Sequence, residues 1–199
     1  MNTYAKKALR TLITGLALST ALLTTNSAMA REYQFDIKGA HAFIQFQIKH
    51  LGFSWLSGRF NKFDGTFNWD AANPNASSVN VEIDVASLDS MHAERDKHLR
   101  GEDYLNVDKY PQATFTSTSY TDQGDGKGLL KGNLNLRGVT KEIAIDVEFI
   151  GAGKSPWGAG LHAGFRGTVA LKLEDFGMRS MGPGAEHVYM TLDVEGISK

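Results

Sequence analysis

The chain has 199 residues, no cysteine, and 21 Lys plus Arg against 22 Asp plus Glu, for a net charge of −1. Without cysteine it can hold no disulfide, thiol nucleophile or cysteine-ligated metal. So even a charge gives no electrostatic footprint for nucleic acid, and the length suits one domain with one core.

Residues 1–30 read as a secretory leader. Lys6, Lys7 and Arg10 form a basic start, an apolar run follows from Leu12 to about Leu23, and Ala28-Met29-Ala30 supplies an A-x-A cleavage signal. Its removal leaves 18 basic residues against 22 acidic, a net charge of −4 on residues 31–199. That remainder is expected to be a single exported domain held together by burial alone, which suits a bacterial periplasm.

From residue 31 onward nearly every segment alternates apolar and polar residues, the pattern of antiparallel strands with one wet face. Ile44, Phe46, Ile48 and His50 share one face of the first clear strand. An aromatic-rich stretch follows with Phe53, Trp55, Phe60, Phe63, Phe67 and Trp69. Val79, Val81, Ile83 and Val85 then line one side of VNVEIDV. After a break come Phe115 and the rows Leu130, Leu134, Leu136 and Ile143, Ile145, Val147, Phe149. Phe165, Val169, Leu171 and then Val188, Met190, Leu192 end the set. Turn signals such as Asp64-Gly65, Asp125-Gly126 and Arg137-Gly138 separate the runs, so neighbouring strands form an up-and-down meander of about eight to ten strands. Closure into a barrel removes the exposed edges. A two-sheet sandwich is the alternative, and Gly132, Gly164 and Gly167 inside strand patterns favour the barrel, which needs bends and bulges.

One stretch breaks the rhythm. In residues 90–108, Ser90 is a fair N-cap, Met91, Glu94 or Arg95, His98 and Leu99 recur at helical spacing, and Gly101 stops the helix. Tyr104, Leu105 and Val107 add an apolar patch before Pro111. This segment is expected to be a helical flap over one barrel mouth, either as a lid on a ligand chamber or as a plug completing the core.

Catalytic signatures are absent: no G-x-S-x-G, S-x-x-K, phosphate loop or H-E-x-x-H. His41, His50, His92, His98, His162 and His187 show no metal spacing on a shared strand face or helix turn, so no metal site is expected. The Asp89, Arg95 and Asp96 cluster reads as a tie between the flap and its neighbours. If the tube is hollow, the inward rows line it: Ile44, Phe46, Ile48, Phe53, Trp55, Phe60 and Phe67 from the first hairpins, then Val81, Ile83 and Val85. Leu99 and Leu105 add to it from the flap, Phe115, Leu134, Leu136, Ile145, Val147, Phe165, Val169 and Met190 from later strands, and Phe176 and Met178 from a rim before the glycine-rich turn. His50 at the end of its inward row is a head-group candidate, joined by Arg59, Arg95 and His98 if the flap covers the same mouth. An imidazole with a pKa of about 6.5 donates to a carbonyl when neutral and pairs with phosphate when charged.

The segments IKHLGFSWLSGRFNKFDGTF, VEIDVASLDS, ERDKHLRGEDYLNVDKYPQATF, LNLRGVTKEI and FGM, in that order, resemble the YceI family. The resemblance spans nearly all of residues 31–199 and implies a lipocalin-like antiparallel barrel, periplasmic or secreted. It implies a long polyisoprenoid or similar amphiphile in the lumen, polyprenyl pyrophosphates and isoprenoid quinones being the ligands associated with the family. No catalytic set and no cofactor beyond such a lipid come with it. Dimers occur in the family, so a homodimer is an expectation, as is transient contact with a membrane. The expected function is therefore a periplasmic carrier. The alternatives are an enzyme acting on an isoprenoid, with His50 or His98 as acid–base and Asp96 as orienter, and a ligand-free structural or stress-response protein with a filled core.

Overall fold

A computed structural model describes residues 30–158 and 160–198. The leader expected over residues 1–30 lies, apart from Ala30, outside the described residues. Eleven strands form one antiparallel sheet: β1 (Arg31–Phe35), β2 (Ala42–His50), β3 (Ser54–Phe60), β4 (Phe63–Trp69), β5 (Ser78–Asp84), β6 (Leu88–Asp89), β7 (Gln112–Gly124), β8 (Lys127–Leu136), β9 (Val139–Lys154), β10 (Leu161–Lys172) and β11 (His187–Ser198). The sheet is closed. β11 pairs with β10 on one side, and on the other with both β2 (Tyr189↔Gln47 to Val194↔Ala42) and β1 (Phe35↔Gly196 to Tyr33↔Ser198). β1 with β2, β3 with β4 and β5 with β6 are each one long stave interrupted by a kink, so eight staves make the barrel.

The sheet curls where glycine permits it. The β9–β10 register slips between Gly164 and Phe165, and the β7–β8 register slips between Ser117 and Ser119, opposite Gly132. A Cβ at Gly132 would stand 2.5 Å from the ring of Phe115, so a bare backbone is needed for that ring to lie across the neighbouring strand.

The apolar faces of all eight staves point inward. Tyr33, Phe35, Ile44, Phe46, Ile48, Phe67, Val81, Phe115, Leu134 and Ile145 are buried there. Aromatic rings concentrate at one end, where Trp69 stacks on Phe149 at 4.9 Å and both meet Phe165. The opposite end carries α1 (Ala93–Arg100) and the turns through Pro111.

The flap differs from its expected form in two details. Its N-cap is His92, whose Nδ1 accepts the Arg95 N–H at 3.2 Å. Ser90 is instead buried, donating its N–H (2.8 Å) and its hydroxyl to Asp96 Oδ1. The helix therefore buries a carboxylate, Asp96, rather than an apolar stripe, and Met91 is 75% exposed. Polar ties hold it down. Arg100 donates to the carbonyls of Ala86 (2.8 Å) and Leu88, and Arg137, in the β8–β9 turn, donates to the carbonyls of Glu102 and Gly177, both at 2.9 Å.

Candidate functional site

The barrel is hollow. Two chambers lie along its axis and share Ile83, Leu134, Leu171 and Met190 as a common waist. The inner chamber, of about 170 Å³, runs from the waist toward Trp69. Ile44, Phe67, Val81, Phe115, Ile145, Val147, Phe165 and Val169 line it, and its few polar groups (Asn68, Ser77, Ser78 and Tyr120) carry no charge at neutral pH. Burial pushes the Tyr120 hydroxyl above its ordinary pKa, which keeps that wall neutral.

The flap-end chamber, of about 300 Å³, lies under α1. Phe46, Ile48, Phe60, Leu99, Leu105, Leu136, Phe176 and Met178 line it. Its mouth carries Lys49, His50, Ser90, Arg95, His98 and Lys172, and no carboxylate is among the lining residues. Two of the cations are engaged elsewhere: Lys49 Nζ sits 5.4 Å over the Trp55 ring, and Lys172 Nζ pairs with Glu174 at 2.8 Å. Arg95 is fixed by donating to Ser90 Oγ at 2.8 Å and to the Ser90 carbonyl at 2.5 Å, and His98 meets the Tyr104 ring edge-on at 5.1 Å. The result is a long apolar cavity with positive or ionisable groups at one end only. Such a cavity accommodates a chain-like apolar molecule with one polar terminus.

Most residues expected to line the lumen do so, and four expectations are corrected. Phe53 sits in the β2–β3 turn and is 87% exposed. Trp55 is on the outer face, edge-on to Tyr189 at 5.4 Å, because the turn at Leu51-Gly52 sets Leu56, Gly58 and Phe60 as the inward residues of β3. Arg59 follows Trp55 outward and lies 3.9 Å from Asp89, away from the mouth. Val85 is buried in the core without lining either chamber. His50, Arg95 and His98 do come together around one mouth.

Sequence reasoning missed several neighbours. Of the two residues that close the inner chamber, Trp69 was legible only as part of an aromatic-rich stretch, and Tyr120 gave no signal. Ser90 and Arg137, which anchor the flap, gave only a cap signal and a turn signal. Among the described residues, Asp36, His41 and Glu195 also bring one potential ligand atom each within 4.8 Å, outside the lumen. No spacing pattern reveals that group, because β11 reaches it from the far end of the chain.

A YceI-like domain model matches residues 33–196. A UPF0312 protein of Pseudomonas aeruginosa is 52% identical over 190 residues, covering 95% of this chain and 98% of that protein. One of Azotobacter vinelandii is 50% identical over the same length and shares. Among solved structures, the Campylobacter jejuni YCEI protein is similar at a TM-score of 0.68 with 30% identity, covering 76% of this chain and 90% of that one. A polyisoprenoid binding domain from Saccharophagus degradans shares the fold at a TM-score of 0.59 with 14% identity, covering 86% of this chain and 99% of that one.

Proposed function

Because this chain belongs to the YceI-like domain family, we propose that it is a periplasmic carrier that holds one long isoprenoid chain in its barrel, with an anionic head at the flap-end mouth. The observation that carries this reading is the paired chambers: about 300 and 170 Å³, lined by apolar side chains and meeting at Ile83, Leu134, Leu171 and Met190. Ligand pockets usually fall in the range of roughly 300–1,000 Å³. Each CH₂ moved from water into such a lumen contributes about 0.8 kcal/mol, so a few five-carbon units offset the cost of association.

The head is assigned by charge. His50, Arg95 and His98 border the mouth without a lining carboxylate, which suits a pyrophosphate better than a quinone ring. The polyisoprenoid named for the Saccharophagus degradans fold relative supports the ligand class. The leader pattern of residues 1–30 supports export to the periplasm.

Binding, rather than conversion, fits the mouth better. Asp96, the orienter expected for an enzyme built on His50 or His98, is turned to Ser90 instead. The exposed tip Leu51 to Phe53 and the exposed Met91 stand at the flap end, where they suit brief contact with the bilayer from which a lipid enters.

Organic extraction of the protein purified without added lipid, followed by mass spectrometry, tests this. One isoprenoid phosphate or pyrophosphate per chain is the expected result. An isoprenoid quinone would keep the carrier and overturn the anionic head, and no stoichiometric lipid would overturn both.

A further inference from the structure

The stave formed by β1 and β2 breaks at one place, and the break is large. Phe35 pairs with Gly196 and Ala42 with Val194, so six residues, Asp36 to His41, stand opposite Glu195 alone. The Asp36 N–H donates to the Glu195 carbonyl at 2.9 Å, and the Glu195 N–H donates to the His41 carbonyl at 3.2 Å. The extra residues thus form a side loop hung on a single point of the closing seam. Its return, through the His41 N–H to the Asp36 carbonyl at 3.0 Å, brings the first and last side chains of the loop together.

Those side chains are a carboxylate and an imidazole. Asp36 is only 8% exposed, its Oδ1 accepts the Gly39 N–H at 2.8 Å, and its Oδ2 lies 2.7 Å from His41 Nδ1. Glu195 adds a second carboxylate and lies 2.6 Å from Nδ1 of His162 on β10. The side loop, β11 and β10 therefore converge two carboxylates and two imidazoles on the outer face, beside the Arg166–Asp193 ion pair. Asp36 is buried and Glu195 half-buried, and a divalent cation would answer both carboxylates.

We propose that Asp36, His41 and Glu195 form a zinc-class metal site that clamps the seam of the barrel, with His162 orienting Glu195 from β10. One potential ligand atom from each of the three already lies within 4.8 Å of the others. Zinc would draw them to about 2.0–2.2 Å from itself. The donor set, imidazole with carboxylates, suits zinc and its late first-row neighbours over magnesium or calcium, which take oxygen alone. On metal entry His41 Nδ1 gives up its place as donor to Asp36, and its exposed ring holds the proton on Nε2 instead. The Gly39 N–H and the His162 ring then act as the outer contacts that aim the two carboxylates. This site is independent of the lumen and of what the lumen holds.

The test uses tag-free protein freed of metal by chelation and titrated with zinc chloride, reading calorimetric affinity and the zinc-induced change in Tm. One tight equivalent and a rise in Tm are expected, with magnesium chloride giving neither. His41→Asn and Glu195→Gln should each weaken zinc at least about ten-fold, while His50→Asn leaves it unchanged. The change in Tm is taken within each variant, so any intrinsic loss of stability cancels. His41, being exposed, keeps the test open if Glu195→Gln fails to fold. Absence of a tight equivalent in the parent protein would overturn the site, and so would zinc affinity that survives both His41→Asn and Glu195→Gln.

Discussion

At the flap end the lumen is bordered by His50, Arg95 and His98 under a helix held by polar ties; at the other it is closed by Trp69, Phe149 and Phe165 without a charged group among the lining residues. The same strands run through both ends, each supplying apolar side chains to the interior. The difference arises in what interrupts or ends the strands. Where the chain passes straight from strand to strand, alternation alone determines the wall. Where it leaves the sheet at β6 for the flap, hydrogen bonds to backbone carbonyls take over, and cations can stand beside an apolar cavity. Length and fit of a guest would be read at the aromatic end, and its polar terminus at the flap end.

The largest effect should come from cutting the two ends apart. Met190 belongs to the waist and is only partly buried. Met190→Trp should divide the lumen, lowering lipid recovered by extraction more than ten-fold while circular dichroism still reports the barrel. Retention of a full-length isoprenoid would show that the chambers do not act as one.

Removing the flap's anchor comes next. Asp96→Ala strips a buried acceptor from the Ser90 N–H and hydroxyl, at a cost of about 2–3 kcal/mol. Hydrogen exchange should rise across residues 90–108 and stay low near Trp69. Equal loss at both ends would mean that the flap and the aromatic end unfold as a unit.

At the mouth itself, Arg95→Gln should weaken an anionic isoprenoid about ten-fold and flatten its salt dependence. The same substitution should leave an uncharged isoprenoid alcohol almost unaffected. Identical losses for both ligands would remove the case for a charged head there.

Smaller still, Phe53→Ser should change stability by less than about 0.5 kcal/mol, because the ring is 87% exposed. It should slow transfer of lipid from vesicles all the same, and an unchanged transfer rate would free the β2–β3 turn from any role at the membrane.

The mildest effect is on acid stability. The Met91 N–H donated at 2.8 Å, with lesser help from Asn61, holds the Asp89 carboxyl below its ordinary value of 3.8. A carboxyl lowered on folding contributes stability above its unfolded pKa and loses it as pH falls through the folded value. The Tm gap between parent and Asp89→Asn should therefore be present near neutrality and close on acidification below about pH 4.

Much of the tube was legible because alternation is a local property. Ile44, Phe46 and Ile48 can face only one way once Gln45 and Gln47 face the other, and the bend at Gly164 could be anticipated from a glycine inside a strand. Trp55 and Arg59 show where that reading fails. In SWLSGRF the tryptophan is on the outer face and the glycine on the inner one, since Gly58 leaves room for the Phe46 ring. Hydrophobicity then points the wrong way. The flap was legible as an interruption but not in its fixation, because Ser90 to Asp96 and Arg137 to Glu102 are chosen by tertiary geometry. The Asp36–His41–Glu195 group was hidden for the same reason, as only closure of the barrel brings Glu195 to Asp36 and His41.

A crystal structure of the protein with its native lipid retained would test the central claim most directly. It should contain one isoprenoid chain passing the Met190 waist into the chamber near Trp69, with its polar head within hydrogen-bond reach of Arg95, His50 or His98. A head lodged against Trp69, or a chain lying outside the barrel, would contradict the account.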